Sequence, residues 1–541
     1  HCGDEFELLR LRMRENHLLE LLCGNRGNRT NRFQVIRRGI PQRLLRLVSL
    51  ARSRAGKCVV VEFQQLLQML PEVEGILHLA QTLQKRAVTC AKRLGDAALR
   101  ANLQLPPGVS IVSSNFVLNG KTITAYAEVT PNAIAPGLWP HGDVQANSTV
   151  ERSVDRLEVA LVLDNTGSMA GTKLTTLKTS AKNLIDTLSA AASRSTDPNP
   201  LKISLVPFSM TVRVQGTTAT NNYNTTTHSG TGFPTWIDPQ GTAHNALGST
   251  YDTFASKTDR FTMLKQMNRT AWEGCVEARL QPYDVQDTAP VAGTPATMFV
   301  PYFWPDEPDS SAGYRFANDY INDVSTSSSW KTREQYVAKY TGTPRTGSFM
   351  TGYNYGPNSG CGLQPIIRLS TNWTSLKSAI DSMTAVGDTN IPIGLVWGWH
   401  TLSPNAPFAD GSAYGTQHLK KVVVLMTDGE NTNSNPGGSN SNQSYYNALG
   451  YIWQNMLGIT SGTTAQRQTA MDNRLALLCT NMKAQNIVIY TVRVEVTSGT
   501  SDVLKNCATS PDMFYDVQDV TQLNAVFQAI AGSIDNLRIS H

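Results

Sequence analysis

The chain has 541 residues, 40% of them hydrophobic and 16% charged, with 40 Gly and 26 Pro; that length corresponds to roughly three domains, and the composition excludes a disordered or collagen-like chain. The net charge of +5 is unevenly spread, with 18 Lys and Arg against 9 Asp and Glu in residues 1–100 and 29 against 33 in the rest. The body of the protein therefore offers no basic patch in sequence to a nucleic acid.

Residues 1–100 are rich in Leu and Arg at helical spacing, as in Leu44, Leu45, Leu47, Val48 and Leu50 beside Arg43, Arg46, Arg52 and Arg54. The pattern predicts a basic helical region. Its apolar runs, Cys58 to Leu70 and Val73 to Leu83, are short and carry Glu62 or Glu74, whereas a membrane span needs about 20 mainly apolar residues. Residues 101–154 change character: Val109, Ile111, Val112, Phe116 and Val117 lead to Asn119-Gly120, after which Ile123, Ala125 and Ala127 alternate with Thr122, Thr124 and Tyr126. Alternation beside Asn-Gly is a hairpin signal and predicts a small β module.

Residues 155–541 read as strands alternating with helices. Strands are expected at Leu157–Leu163, Ile203–Phe208, Lys421–Met426, Ile487–Val496 and Met513–Val517, and helices at Thr172–Ala192, Trp373–Met383, Pro392–Leu402, 465–484, 501–506 and 520–537. Two polar, irregular stretches, 213–366 and 431–464, read as insertions. Buried apolar strands alternating with helices give an α/β class with a doubly wound, mostly parallel sheet. Ligands of such sheets bind beyond the carboxyl ends of the strands, where the strand order reverses.

Three oxygen-bearing clusters fall at such ends. Leu161-Val162-Leu163 runs into Asp164-Asn165-Thr166-Gly167-Ser168-Met169, a D-x-T-x-S run. Gly387-Asp388-Thr389-Asn390 opens a helix, and Val424-Leu425-Met426 ends in Thr427-Asp428-Gly429-Glu430. Singly, each reads as a helix cap. Together they supply hard oxygens at three successive loops, the way Mg²⁺ is held by few protein ligands plus water. Four cysteines, Cys275, Cys361, Cys479 and Cys507, lie far apart in the body without a zinc spacing. They fit two disulfides of an exported domain; nearest-in-sequence pairing joins Cys275 to Cys361 and Cys479 to Cys507, one of three possible connectivities.

The D-x-T-x-S run, the later Thr389 and the T-D-G run resemble the metal-ion-dependent adhesion site of von Willebrand factor A domains over residues 155–541. More narrowly, Leu157 to Met169, Trp272-Glu273-Gly274-Cys275-Val276-Glu277-Ala278-Arg279, Thr389-Asn390-Ile391 with Trp397-Gly398-Trp399, and Leu425 to Asn431 resemble the TadG-type proteins of bacterial tight-adherence (Flp) pilus systems. The resemblance implies that Thr166 and Ser168 are direct hydroxyl ligands of a divalent cation, Mg²⁺ or else Mn²⁺ or Ca²⁺. Asp164 and Asp428 would act directly or through water, and Thr389 would engage when a partner binds. Thr166 stands where Ser is commoner and keeps the hydroxyl.

The function implied is that of a non-enzymatic adhesion or assembly factor in the bacterial cell envelope, with a periplasmic or surface-exposed body. It would bind an Asp- or Glu-presenting protein of the pilus system or envelope. The alternative is an envelope scaffold whose metal is structural and whose large insertion binds partners. Family members carry a membrane anchor near their start; here Arg37-Arg38-Gly39 is followed by Ile40-Pro41-Gln42-Arg43, so residues 1–100 read as a degenerate or frame-displaced anchor. Tyr445, Tyr446, Tyr451 and Trp453, set among Ser, Asn and Gly directly after the T-D-G run, read as a recognition rim. A serine hydrolase built on Ser168 is excluded by the absence of G-x-S-x-G and of any His after Asp428 except His541.

Overall fold

The computed structural model describes residues 8–13, 17–22, 110–119, 122–130, 144–151 and 156–537, except 194, 196, 246–250, 255–257, 268–270, 310–317, 343, 345–355, 437–440 and 497–500. The chain forms two compact units, residues 1–150 and 151–541.

In the first unit, β1 (Leu8–Met13) and β2 (His17–Leu22) pair antiparallel. This corrects the helical expectation over those residues. Leu9, Leu11 and Met13 alternate with Arg10 and Arg12, a period of two that fits a strand and cannot form one helical face. The remainder of the predicted basic helical region, and with it the anchor reading, lies outside the described residues. A three-stranded sheet follows, built from β3 (Ser110–Asn119), β4 (Thr122–Thr130) and β5 (Val144–Glu151). β3 and β4 are antiparallel, with Asn119 in register with Thr122, so the hairpin sits at the Asn-Gly signal.

The second unit is built on an eight-stranded sheet. Its strands are β6 (Arg156–Asp164), β7 (Leu201–Phe208), β8 (Val212–Arg213), β11 (Cys275–Val276), β12 (Ile367–Ser370), β13 (Leu419–Thr427), β14 (Ile487–Val494) and β15 (Phe514–Val517). The short strands β9 (Thr218–Ala219) and β10 (Ala271–Trp272) pair separately. The order is β11-β8-β7-β6-β13-β14-β15, with β12 also on β7. β7, β6, β13, β14 and β15 run parallel, while β8, β11 and β12 form an antiparallel edge. The first strand, β6, is thus central; the chain goes next to one side of it (β7) and later to the other (β13, β14, β15).

Side-chain alternation sorts two cores. Leu157, Val159, Leu161 and Leu163 of β6, with Val422, Val424 and Met426 of β13, face helices α1 (Thr172–Ala192), α2 (Trp373–Asp381) and α6 (Leu523–Leu537). Ala160, Val162, Val423 and Leu425 face α3 (Ile391–Leu402), α4 (Thr464–Ala484) and α5 (Asp502–Cys507). Leu174, Leu177, Ala181, Leu184, Ile185 and Leu188 give α1 one apolar stripe. In contrast, α3 is apolar all round and almost wholly buried. One side lies on the sheet, where a Cβ on Gly398 would fall 2.4 Å from Val162 Cγ2 and one on Gly394 2.4 Å from the Phe208 ring. Gly398→Ala would therefore overpack this contact, at a cost of about 1–3 kcal/mol. Its other side is covered by the first insertion, with Trp397 against Trp236 and Phe299, and by Phe408 of the loop that follows α3.

The insertion is therefore part of the second core rather than an appendage. Its disulfide Cys275–Cys361 and the second bond Cys479–Cys507 follow the nearest-in-sequence pairing. Among the described residues no helix is long and apolar enough to cross a membrane.

Candidate metal centre

The carboxyl ends of β6 and β13 lie side by side, with Leu163 in register with Met426. This is the place where the strand order reverses. Asp164 ends β6 and is fully buried; both its oxygens are engaged, Oδ1 by the Thr166 backbone N–H at 2.7 Å and Oδ2 by the Thr427 hydroxyl at 2.6 Å. The chain then makes a single 3₁₀ turn, Gly167–Met169, before α1. That turn brings the Thr166 and Ser168 hydroxyls to 3.0 Å, and Ser168 Oγ donates to Asp428 Oδ1 at 2.8 Å. Asp164, Thr166, Ser168 and Asp428 are thereby joined through hydrogen bonds that cross from one loop to the other. Ser168 is exposed, so the cluster opens to solvent.

Thr389 stands beside this cluster rather than within its hydrogen bonds. The Gly167 N–H donates to the Gly387 carbonyl at 3.0 Å, and the Val386 N–H to the Asn165 carbonyl at 2.7 Å, so the second loop is stitched to the first. The Thr389 N–H donates to Thr432 Oγ1 at 2.8 Å. Its own hydroxyl faces the third loop, 3.6 Å from where a Cβ on Gly429 would lie, an ordinary van der Waals contact. Asn390 caps α3 by accepting from the Ile393 N–H, and Asn431 accepts from the Ile391 N–H while donating to Asp472. Three loops distant in sequence are thus fixed at one sheet edge.

Two residues of the site are not among the expected ligands. Thr427 orients Asp164, although within the T-D-G run only Asp428 draws notice as a ligand. Lys173, in the first turn of α1, places Nζ 2.8 Å from Asp428 Oδ2. Burial, then the neighbouring Asp428, push the Asp164 carboxyl up to about 6 against the hydrogen bonds from Thr427 and Thr166. Asp164 itself meets no positive side chain among the described residues; its partners are an N–H and a hydroxyl. The donor set is all oxygen, two carboxylates and three hydroxyls, and this fits a hard divalent cation. Among the described residues no group of three or more His, Cys, Asp or Glu converges; here hydroxyls make up the larger share of the donors. The hydroxyl of Ser168 is directed at Asp428 and paired with Thr166, so no histidine base activates it among the described residues.

The expected aromatic rim is corrected. Tyr446 and Tyr451 are fully buried and Trp453 nearly so, in a small core with Met210, Tyr302 and Trp304 around Cys275–Cys361; Tyr445 is half-buried against it. Their polar tips are satisfied internally: Tyr446 Oη donates to Glu277, Tyr451 Oη to Glu307 at 2.6 Å and Trp453 Nε1 to Asn442 at 2.9 Å. Aromatic rings with satisfied tips are core, whatever the polarity of the residues between them.

Neither a protein-family profile nor a curated protein sequence matches the chain. Among solved structures, the pilus adhesin SpaC of Lactobacillus rhamnosus GG is 11% identical over 80% of this chain and 36% of its own, with a TM-score of 0.30. The von Willebrand factor domain of the type V pili tip protein Mfa5 of Porphyromonas gingivalis is 11% identical over 71% of this chain and 97% of its own, with a TM-score of 0.31. Proximal thread matrix protein 1 of the mussel byssus, solved with a zinc-occupied MIDAS motif, is 12% identical over 71% and 46%, with a TM-score of 0.26. The chain thus spans about a third of the length of SpaC.

Proposed function

We propose that residues 155–541 are a doubly wound von Willebrand factor A domain of a tight-adherence pilus system, a non-enzymatic adhesion or assembly factor at the bacterial cell surface. One observation carries this reading: Asp164, Thr166, Ser168 and Asp428 meet at the switch point of the sheet with Thr389 beside them. Thr166 and Ser168 would hold a divalent cation directly, and Asp164 and Asp428 directly or through water. A cation there supplies an electrophilic position that takes an Asp or Glu side chain of a partner protein. Thr427 and the Thr166 N–H orient Asp164, and the stitched loops keep the hydroxyls in place without help from the ion. The two disulfides suit an oxidising compartment outside the cytoplasm.

Calorimetry with Mg²⁺ and Mn²⁺ tests the reading. The wild-type chain should release or absorb heat in a saturable titration and Asp164→Ala should not; equal heats from both would remove the cation site. Capture of envelope proteins on the immobilised chain should be abolished by EDTA, and EDTA-resistant capture would favour the scaffold with a structural metal.

A further inference from the structure

Among the described residues Lys173 is the one cation that touches the candidate ligands, and its position is not explained by its helix. It lies in the first turn of α1, where a positive side chain opposes the helix dipole. What holds it there is Asp428, whose side chain is fully buried while that of Lys173 is 23% exposed. The ammonium is 2.8 Å from Asp428 Oδ2, and 3.8 Å on its other side is Glu495 Oε2, a carboxylate 32% exposed at the rim. Glu495 is fixed there from the carboxyl end of β14, its backbone N–H on the Val517 carbonyl and its Oε1 accepting from the Val520 N–H. Lys173 thus stands between two acceptors, one inside the site and one outside it.

A divalent ion at Asp164, Thr166, Ser168 and Asp428 would face this ammonium across a shared carboxylate. The two carboxylates of the site carry two negative charges, which a divalent ion balances alone; with Lys173 still on Asp428 the site would be over-neutralised, and the two cations would repel. A rotation of the flexible lysine stem suffices to bring Nζ to Glu495 without moving α1.

We propose that Lys173 is a tethered competitor for the cation: its ammonium neutralises Asp428 in the metal-free protein and transfers to Glu495 when a divalent ion binds. The proposal rests on the cation-site reading of these residues. It makes loading of the site an exchange of one positive charge for two, so a monovalent ion gains nothing by displacing the lysine. It also makes metal loading deliver a cation to the rim.

The experiment is a Mg²⁺ titration of the full chain by calorimetry, with Asp164→Ala as the control for the site itself. Lys173→Met, and Lys173→Gln, which keeps a hydrogen-bond donor without the charge, should both bind Mg²⁺ about tenfold more tightly, the scale of one charge-assisted hydrogen bond. Both should also melt at lower temperature without metal and show a larger Mg²⁺-induced rise. Glu495→Gln should weaken binding roughly threefold, as expected for a partly exposed pair, and should have no effect in the Lys173→Met background. Unchanged or weaker Mg²⁺ binding in both lysine variants, while wild type binds and Asp164→Ala does not, overturns the competitor and leaves the cation site standing. An effect of Glu495→Gln that persists without Lys173 overturns the transfer. Absence of binding in wild type and lysine variants alike overturns both readings.

Discussion

Two regions of the second unit bury carboxylates, and they neutralise them differently. In the first insertion, Lys339 and Asp306 form a pair at 2.9 Å with both side chains fully buried, and Asp323 lies 3.7 Å from the same ammonium. Arg260 faces Glu277 at 3.7 Å, also buried. Glu334 and Glu307 share the amide of Asn442, and burial followed by the charge of Glu307 holds the Glu334 carboxyl well above its usual range. At the sheet edge, the partners of Asp164 and Asp428 are a backbone N–H, hydroxyls and one lysine reaching in from the rim. Carboxylates with internal cations and amide partners form a finished structure. At the sheet edge Lys173 is the one charged partner that the described residues bring to two carboxylates, which under the proposed reading leaves a place for a cation from outside.

The comparison breaks first if the insertion tolerates loss of its internal cation. Lys339→Met strands Asp306 in a buried site, while Asp323 keeps Arg333, and should cost about 3–5 kcal/mol in denaturant unfolding; a loss below about 1 kcal/mol would mean that the pair is not holding the insertion. A pH series sharpens the same point. Burial raises the Asp306 carboxyl to about 7, with Lys339 and the Ile321 and Tyr320 N–H groups acting against it. Between about pH 4 and pH 7 the folded chain therefore keeps a proton that the unfolded chain has lost. Stability contributed by this group is complete below about pH 4 and falls as pH rises through the window, by at most about 1.4 kcal/mol per pH unit. Asp306→Asn should flatten that fall, and an unchanged pH profile would contradict it.

At the sheet edge the sign reverses. Asp164→Asn keeps acceptor and shape for the Thr166 N–H and removes the repulsion with Asp428. The metal-free protein should become more stable by about 1 kcal/mol. The same variant should lose the stabilisation that a saturating divalent ion gives the wild type, about 2.7 kcal/mol at a concentration a hundredfold above Kd. Thermal melts with and without Mg²⁺ read both. A destabilised metal-free Asp164→Asn would place Asp164 with the structural carboxylates of the insertion.

Much of the site is legible in sequence because its chemistry sits within a few residues of strand ends. Periodicity locates β6 and β13, and the D-x-T-x-S and T-D-G runs follow each directly, so the rule for parallel sheets brings them together. Helix α1 spans Thr172–Ala192 as its apolar spacing predicts. What is not legible depends on long separations or short elements. Tyr446 meets Glu277 from 169 residues away and Tyr451 meets Glu307 from 144, so a local composition suited to a binding rim turns out to be core. Two-residue strands such as β8 and β11 are too short to show a period. Thr427 and Lys173 are ordinary residues in sequence; only the register of β13 on β6 and the entry of α1 reveal what they touch.

The smallest expected effect isolates a single oxygen. Thr166 is buried, its hydroxyl 3.0 Å from Ser168 and its backbone N–H on Asp164. Thr166→Ser keeps both the hydroxyl and the N–H and removes one methyl group, so Mg²⁺ affinity should stay within about twofold while stability falls by roughly 1 kcal/mol. Thr166→Val keeps the shape and the N–H but removes the oxygen, and should weaken Mg²⁺ binding by more than about tenfold, the scale of one lost ligand bond to a charged group. The loop and its bond to Asp164 are preserved in both variants, so Thr166→Val against wild type reads the hydroxyl, and Thr166→Ser controls for the methyl group. Equal affinities in the two would assign Thr166 to loop geometry and leave Ser168 and the two carboxylates as the protein's share of the cation's shell.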